Sequence, residues 1–167
     1  KMGRYRPPAP AKSPYITQTG YDLLKQEEQA LWVRRRKVTQ ALAAAAAEGD
    51  RSENAEYIYR KKELREIDWR IRYLQKRVPA LKVVNQLPSD QRQVFFSARV
   101  SLQCEDGTEQ SYRIVGPDEI GIQADYISLD SPLAQALMGR SLDDQVTVET
   151  PNGTKQYWIV DIRYDEN

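Results

Sequence analysis

Histidine is absent from the 167-residue chain, and cysteine occurs once, at Cys104. Without histidine, Ser-His-Asp and Cys-His nucleophiles and HExxH metal sites are excluded, so any chemistry must use carboxylates, lysine or tyrosine. A single cysteine excludes an internal disulfide and a multi-cysteine zinc site, and it fits a reducing, cytoplasmic location. No apolar run approaches the roughly 18 residues that a membrane span requires, so no membrane contact is expected.

The charged residues are divided unevenly along the chain. Residues 1–84 hold 19 Lys and Arg against 10 Asp and Glu, whereas residues 85–167 hold 6 against 14. The first part is therefore strongly basic and the second strongly acidic, although the whole chain has a net charge of only +1. This division indicates two modules with different partners, of which only the first suits a polyanion.

Hydrophobic spacing predicts two long helices in the basic part. Register positions alternate three and four residues apart over residues 21–45 and, more regularly, over residues 64–81. The short gap between the two patterns favours a fold-back. Residues 14–84 are therefore predicted to form an antiparallel coiled-coil hairpin with its tip at residues 48–54.

The acidic part has the pattern of a sheet. β-forming residues alternate in segments separated by turns, which predicts strands at 94–104, 108–116, 124–130, 145–150 and 154–164. Ser131 followed by Pro132 predicts the start of a short helix over residues 131–140. The expected fold class is α+β with two domains: a disordered basic leader at 1–13, the hairpin at 14–84, a linker at 85–91, and a mostly antiparallel sheet domain at 92–167.

Two carboxylates, Asp50 and Glu53, stand at the predicted tip of the hairpin. In a structural interpretation, Asp50 caps the second helix and Glu53 at its third position completes a capping box. In a functional interpretation, the two carboxylates are oxygen ligands for a hard divalent cation such as Mg²⁺, which needs about six oxygens and would find only part of a site here. The spacing alone leaves both interpretations open.

Basic residues flank the tip on both helices and would form one patch in an antiparallel hairpin. They are Arg34, Arg35, Arg36, Lys37, Arg51, Arg60, Lys61, Lys62 and Arg65. Taken singly, each fits a solvated helix face with ion pairs three or four residues apart. Taken together, they indicate a surface for phosphates. Tyr57 fits the packing register, and Tyr59 is open to either packing or base stacking.

The stretch GDRSENAEY at residues 49–57 resembles the signature of the Gre family of bacterial transcript-cleavage factors, closest to the GreB branch. ITQTGYDLLKQE at residues 16–27 and DYISLDSPLAQALMG at residues 125–139 strengthen this resemblance, which covers residues 14–166. The motif is far more specific than two acids three residues apart. The resemblance implies a C-terminal domain with an FKBP-like fold, in which Asp130, Ser131 and Pro132 contribute to polymerase docking.

The resemblance also implies a mechanism. A family member binds bacterial RNA polymerase as a monomer and inserts its coiled coil through the secondary channel. It then stimulates the polymerase's own Mg²⁺-dependent cleavage of backtracked nascent RNA. Asp50 and Glu53 match the acids that help to hold Mg²⁺ there, and the basic patch would hold the RNA 3′ end. The chain would be an activator of another enzyme's site, with no complete active site of its own.

Two other functions are considered. One is a secondary-channel binder that inhibits RNA polymerase without cleavage; such homologues carry different tip acids, so the intact GDRSEN sequence argues against it. The other is an RNA-binding coiled-coil arm that acts without polymerase, which leaves the acidic domain unexplained. Zinc-containing channel regulators are disfavoured because one cysteine cannot form their metal site.

Overall fold

A computed structural model of the chain describes residues 11–49 and 54–165. Two long helices, α1 (Gln18–Ala47) and α2 (Ala55–Arg77), form one compact unit of residues 18–81. The residues before and after this unit form a second one. Its elements are β1 (Tyr15–Thr17), β2 (Lys82–Val84), β3 (Arg99–Cys104), β4 (Glu109–Val115), β5 (Tyr126–Ser128), α3 (Pro132–Leu137), β6 (Gln145–Thr150) and β7 (Gly153–Arg163).

The helical unit is an antiparallel hairpin, as the spacing predicted. Contacts between the helices join an early residue of one to a late residue of the other: Glu27 pairs with Arg70, and Arg34 with Glu63. The apolar seam is narrow. One cluster consists of the buried Val38, Ile67 and Ile71, with Leu31 and Leu64 packed against them. Leu24, Ala45 and Leu74 are further buried apolar residues of the two helices. Among the described residues, no helix has the length and apolar character that crossing a bilayer demands.

The start of α2 differs from the capping interpretation of the tip. Asn54 is the N-cap, and its side-chain oxygen accepts a hydrogen bond from the Tyr57 backbone N–H at 3.1 Å. The structural interpretation, in which Asp50 caps this helix and Glu53 is its third residue, therefore does not hold. The helix begins at Ala55, after both acids, and its cap position is filled by an amide.

Asn54 also joins the two helices at the turn. Its Nδ2 donates to the backbone carbonyl of Ala45, close to the end of α1, at 2.9 Å. Gly49, just beyond α1, has a φ of 128°, a conformation that favours glycine and that lets the chain leave the helix direction. One side chain thus ties the last turn of α1 to the first turn of α2.

The far end of α2 and two short strands were not anticipated. The predicted helical register runs to Leu81, but α2 ends at Arg77 and a 3-10 turn follows at Val78–Ala80, since Pro79 has no N–H to continue the helix. β1 and β2 then pair in parallel, with Ile16 opposite Val83. Strands of three residues are too short to show a clear alternation in the sequence.

A buried carboxylate links β1 to the loop after β4. Glu119 is 1% exposed and accepts hydrogen bonds from the Thr17 N–H at 3.1 Å, the Thr17 hydroxyl and the Gly116 N–H at 2.8 Å. Gly116 lies so close to β1 that a Cβ there would be 2.0 Å from the Tyr15 carbonyl oxygen. Charge-assisted hydrogen bonds of this kind compensate the carboxylate for its lost hydration.

The main sheet confirms the predicted α+β class. Its strand order is β5-β4-β3-β7-β6, in which β4 and β5 are parallel and the other pairs antiparallel. The short helix also agrees, since Ser131 caps α3 and Pro132 opens it. The strand predicted at 94–104 begins only at Arg99, because Ser97 has a φ of 72° and interrupts the extended backbone.

We expect Glu119→Ala to lower the free energy of unfolding by about 2 kcal/mol or more, because it removes the acceptor from three buried donors. Denaturant unfolding of the purified protein measures the change. Glu109→Ala, which removes an exposed carboxylate from β4, is the matched control and should change stability by less than about 0.5 kcal/mol. Equal effects of the two substitutions would contradict the role assigned to Glu119.

Asn54→Ala should destabilise the helical hairpin by at least about 1 kcal/mol, since it removes the cap of α2 and the bond to Ala45 together. Asn54→Ser keeps a capping oxygen but has no amide to donate across the turn, so its loss should be smaller. Thermal unfolding followed by far-ultraviolet circular dichroism ranks the variants. A serine variant as unstable as the alanine variant would show that the cap contributes little.

Candidate functional site

The turn between α1 and α2 holds the motif that the sequence singled out. Asp50, Arg51 and Glu53 lie outside the described residues, so the roles predicted for them remain predictions. The described borders of the turn are Gly49 and Asn54, and the latter holds the two helix ends together. In residues 11–49 and 54–165, no three metal-ligating side chains come together.

Glu63 holds two of the arginines that were predicted to bind phosphate. It is a nearly buried carboxylate on α2, 9% exposed, and the helical pattern gave no reason to place an acid there. Arg34 from α1 is in ion-pair contact with its Oε1, and Arg60 donates to its Oε2 at 3.0 Å. Arg60 also donates to Glu56 at 2.9 Å. Its hydrogen bonds to Glu56 and Glu63 raise the pKa of the guanidinium above its ordinary value.

Arg35 is likewise used within the hairpin. Its Nε donates to Asp68 on α2 at 2.7 Å, and this hydrogen bond raises the pKa of the guanidinium. Farther from the tip, Arg70 donates to both carboxylate oxygens of Glu27, at 2.6 and 2.9 Å. The pairs of Arg34, Arg35 and Arg70 bridge α1 and α2, and those of Arg60 lie within α2. Carboxylates of the hairpin therefore partly neutralise the charges of Arg34, Arg35 and Arg60.

The remaining described members of the predicted patch stay exposed. They are Arg36, Lys37, Lys61, Lys62 and Arg65. Within the part of the chain that the structure describes, none of them takes part in an ion pair. A smaller set of cations than the sequence suggested is thus free to bind an external anion.

Tyr59 faces a surface groove between the two helices. The side chain is 59% exposed, and the Arg60 guanidinium lies 5.5 Å from its ring centroid. The groove has a volume of about 360 Å³ and also includes Arg34, Lys62 and Glu66 in its lining. Tyr57, by contrast, is half-buried, which agrees with its place in the packing register.

The segment predicted to dock on a partner begins α3 in the sheet unit. Ser131 Oγ accepts a hydrogen bond from the Ala134 N–H at 3.2 Å, and Pro132 is exposed. Asp130 is exposed too, and its carboxylate accepts hydrogen bonds from the backbone N–H of Ser13 at 2.9 Å and from the Ser13 hydroxyl. Sequence reasoning missed this contact because the two residues are 117 positions apart.

Two sequence families match this chain, one for each part. The family described as "Transcription elongation factor, N-terminal" matches residues 14–83, and "Transcription elongation factor, GreA/GreB, C-term" matches residues 89–164. A protein of Pseudomonas aeruginosa named Transcription elongation factor GreB is 56% identical over 164 residues, which are 98% of this chain and 98% of that protein. A protein of the same name from Yersinia pestis is 53% identical over 155 residues, 92% of this chain and 91% of that protein.

Solved structures are more distant in sequence. The crystal structure of GreA factor homolog 1 (Gfh1) of Thermus thermophilus is 22% identical, with a TM-score of 0.42, and covers 91% of this chain and 99% of that one. The two family matches and the high identity to proteins named GreB confirm the resemblance seen in the motif, and this chain belongs to the GreA/GreB family of transcription elongation factors.

Proposed function

We propose that this chain binds RNA polymerase and stimulates cleavage of backtracked nascent RNA by the polymerase. The observation that carries the proposal is the position of GDRSENAEY, which spans the reversal between α1 and α2. α1 has 30 residues, hence a length of about 45 Å at 1.5 Å per residue. A two-helix rod of this length and about 20 Å in width suits insertion through a channel, the secondary channel of the polymerase.

Asp50 and Glu53 offer a donor set that fits part of a magnesium site. Mg²⁺ prefers oxygen ligands in near-octahedral geometry and usually keeps several waters, so two carboxylates suit a site that another protein completes. Bound there, Mg²⁺ would supply Lewis-acid activation of a water and stabilisation of charge on the RNA phosphodiester. The part of this chain is to bring the two carboxylates to the polymerase, as an activator of that enzyme's own site.

The cap of α2 is compatible with this role for the two acids. Asn54, rather than Asp50, occupies the cap position and accepts the hydrogen bond from the Tyr57 N–H. A carboxylate that accepts a backbone hydrogen bond still keeps lone pairs for a cation.

The exposed cations of the hairpin suit the phosphates of the RNA 3′ segment. Arg36, Lys37, Lys61, Lys62 and Arg65 supply this contact, together with Arg51 at the tip. Arg34 and Arg35 instead pair with carboxylates across the two helices, and Arg60 pairs with carboxylates within α2. In the sheet unit, Asp130, Ser131 and Pro132 supply a contact with the rim of the polymerase channel. The chain acts as a monomer in this proposal.

Substituting Asp50→Ala or Glu53→Ala should reduce cleavage by on the order of 100-fold, the usual cost of removing one group that stabilises transition-state charge. Polymerase binding should stay nearly unchanged. The assay adds the purified protein to a stalled, backtracked elongation complex with Mg²⁺ and follows release of short RNA 3′ fragments. Glu48→Ala removes a nearby exposed acid outside the signature and is the matched control.

The same assay separates the alternatives. If the unmodified protein binds polymerase but releases no fragments, it is an inhibitor that occupies the channel. If it does neither, the proposal fails altogether.

Two double variants of equal charge test the division of the basic patch. Lys61→Gln with Lys62→Gln should weaken cleavage most in deeply backtracked complexes, because more RNA is extruded there, and should leave thermal stability unchanged. Arg34→Gln with Arg60→Gln should lower the melting temperature, because Glu63 loses both of its charged partners. Equal loss of cleavage at every backtracking depth in the lysine variant would argue against an RNA-holding patch.

A further inference from the structure

One face of α2 carries a stripe of exposed side chains that hairpin packing does not explain. Its members are spaced three or four residues apart, which places them on one side of the helix. They are Lys62, Arg65, Trp69, Arg72 and Lys76, called here the Trp69 stripe. Trp69 is 73% exposed, more than any other large hydrophobic side chain in the described residues. The combination of a large exposed indole with cations on both sides is the observation that the inference uses.

The cations of the Trp69 stripe are free of ion pairs. Within residues 11–49 and 54–165, none of the four is paired with a carboxylate, in contrast to Arg34, Arg35, Arg60 and Arg70. Asp68 and Glu66 lie on the same surface as the stripe. Asp68 accepts the hydrogen bond from Arg35, and Glu66 is exposed. The surface is therefore electropositive around the indole.

A shallow, open depression on the surface of α2 lies beside the indole. It has a volume of about 550 Å³ and is lined by Lys62, Arg65, Glu66, Asp68, Trp69 and Arg72. Arg65 and Arg72 stand one helical turn before and after the tryptophan. They are seven positions apart, which is about 10 Å along the axis, so their guanidinium groups can reach phosphates on either side of a base that lies on the indole.

We propose that the Trp69 stripe binds single-stranded nucleic acid, with an unpaired base stacked on Trp69 and the flanking phosphates held by Arg65 and Arg72. An aromatic platform between cations is the arrangement that binds unpaired bases without sequence preference. The bases of a duplex are already stacked on each other, so an exposed indole favours an unpaired strand over a duplex. A protein surface, which Trp and Arg also bind, would give no preference for base-bearing over abasic strands. The site extends the RNA contact of the proposed function, with which it shares Lys62 and Arg65.

Binding to the free protein tests this site without polymerase. The probes are a 12-nucleotide oligouridylate, its oligodeoxythymidylate counterpart and an abasic strand of the same length, each followed by fluorescence anisotropy. Trp69→Ala should weaken binding of the two base-bearing strands by about 5- to 100-fold and leave the abasic strand unchanged. The tighter of the RNA and DNA probes identifies the strand that the site prefers. Trp69→Phe, which keeps an aromatic face, should restore part of the affinity.

Trp32→Ala is the matched control. Trp32 is also exposed, at 41%, but it lies on α1 with Glu28 one turn before it. This variant should bind the probes with an affinity within about 2-fold of that of the unmodified protein, because the Trp32 indole does not lie between two cations. Because both tryptophans are exposed, melting curves of the two variants should match that of the parent chain.

Fluorescence reports the stacking directly. In a chain with Trp32→Phe and Trp158→Phe, Trp69 is the one remaining indole, and oligouridylate should quench its emission. Arg65→Gln with Arg72→Gln should make binding less dependent on salt. The slope of the logarithm of the binding constant against the logarithm of the salt concentration should fall by about 0.7 for each phosphate that is no longer neutralised. An unquenched indole, or equal affinity of Trp69→Ala for base-bearing and abasic strands, would overturn the proposal. Either result is independent of the cleavage assay with the Asp50 and Glu53 variants, because that assay tests the residues at the tip of the hairpin and not Trp69.

Discussion

Two helices can bury only one narrow apolar seam between them. This limit determines which charged side chains of the hairpin form ion pairs and which stay free. The apolar cluster around Val38, Ile67 and Ile71 is small, so cross-helix ion pairs such as Arg35 with Asp68 and Arg70 with Glu27 add to it. Each such pair uses a cation that would otherwise face solvent. The free cations are consequently those that hairpin assembly does not use, and they concentrate on α2.

At the turn between the two helices, one uncharged side chain makes the hydrogen bonds that join the helix ends. Asn54 uses both ends of its amide, the oxygen for the first turn of α2 and the nitrogen for the last turn of α1. A neutral side chain therefore joins the two helix ends. In the proposed function, the acids of the GDRSEN sequence are the groups that a partner's metal site would use.

Much of the fold could be predicted from the sequence, and the failures have a common cause. Periodicity identified both long helices and most strands of the sheet, because a buried face repeats every 3.6 or 2 residues. It missed β1 and β2, the end of α2 at Arg77 and the bond between Ser13 and Asp130. The two strands and the Ser13 bond depend on residues distant in the chain or on an element too short to repeat. The end of α2 depends on Pro79, because hydrophobic spacing does not register a missing N–H.

For the site, the sequence determined which chemical groups are present and in what order. The GDRSENAEY motif, the lack of histidine and the basic character of residues 1–84 were sufficient to indicate the family and the kind of partner. Tertiary structure decided which of those groups are engaged. Arg34, Arg35 and Arg60 look equivalent to Lys62 and Arg65 in the sequence, but only the first three face a carboxylate from the same hairpin. Pairing depends on distance across the helices, a quantity that residue order alone does not contain.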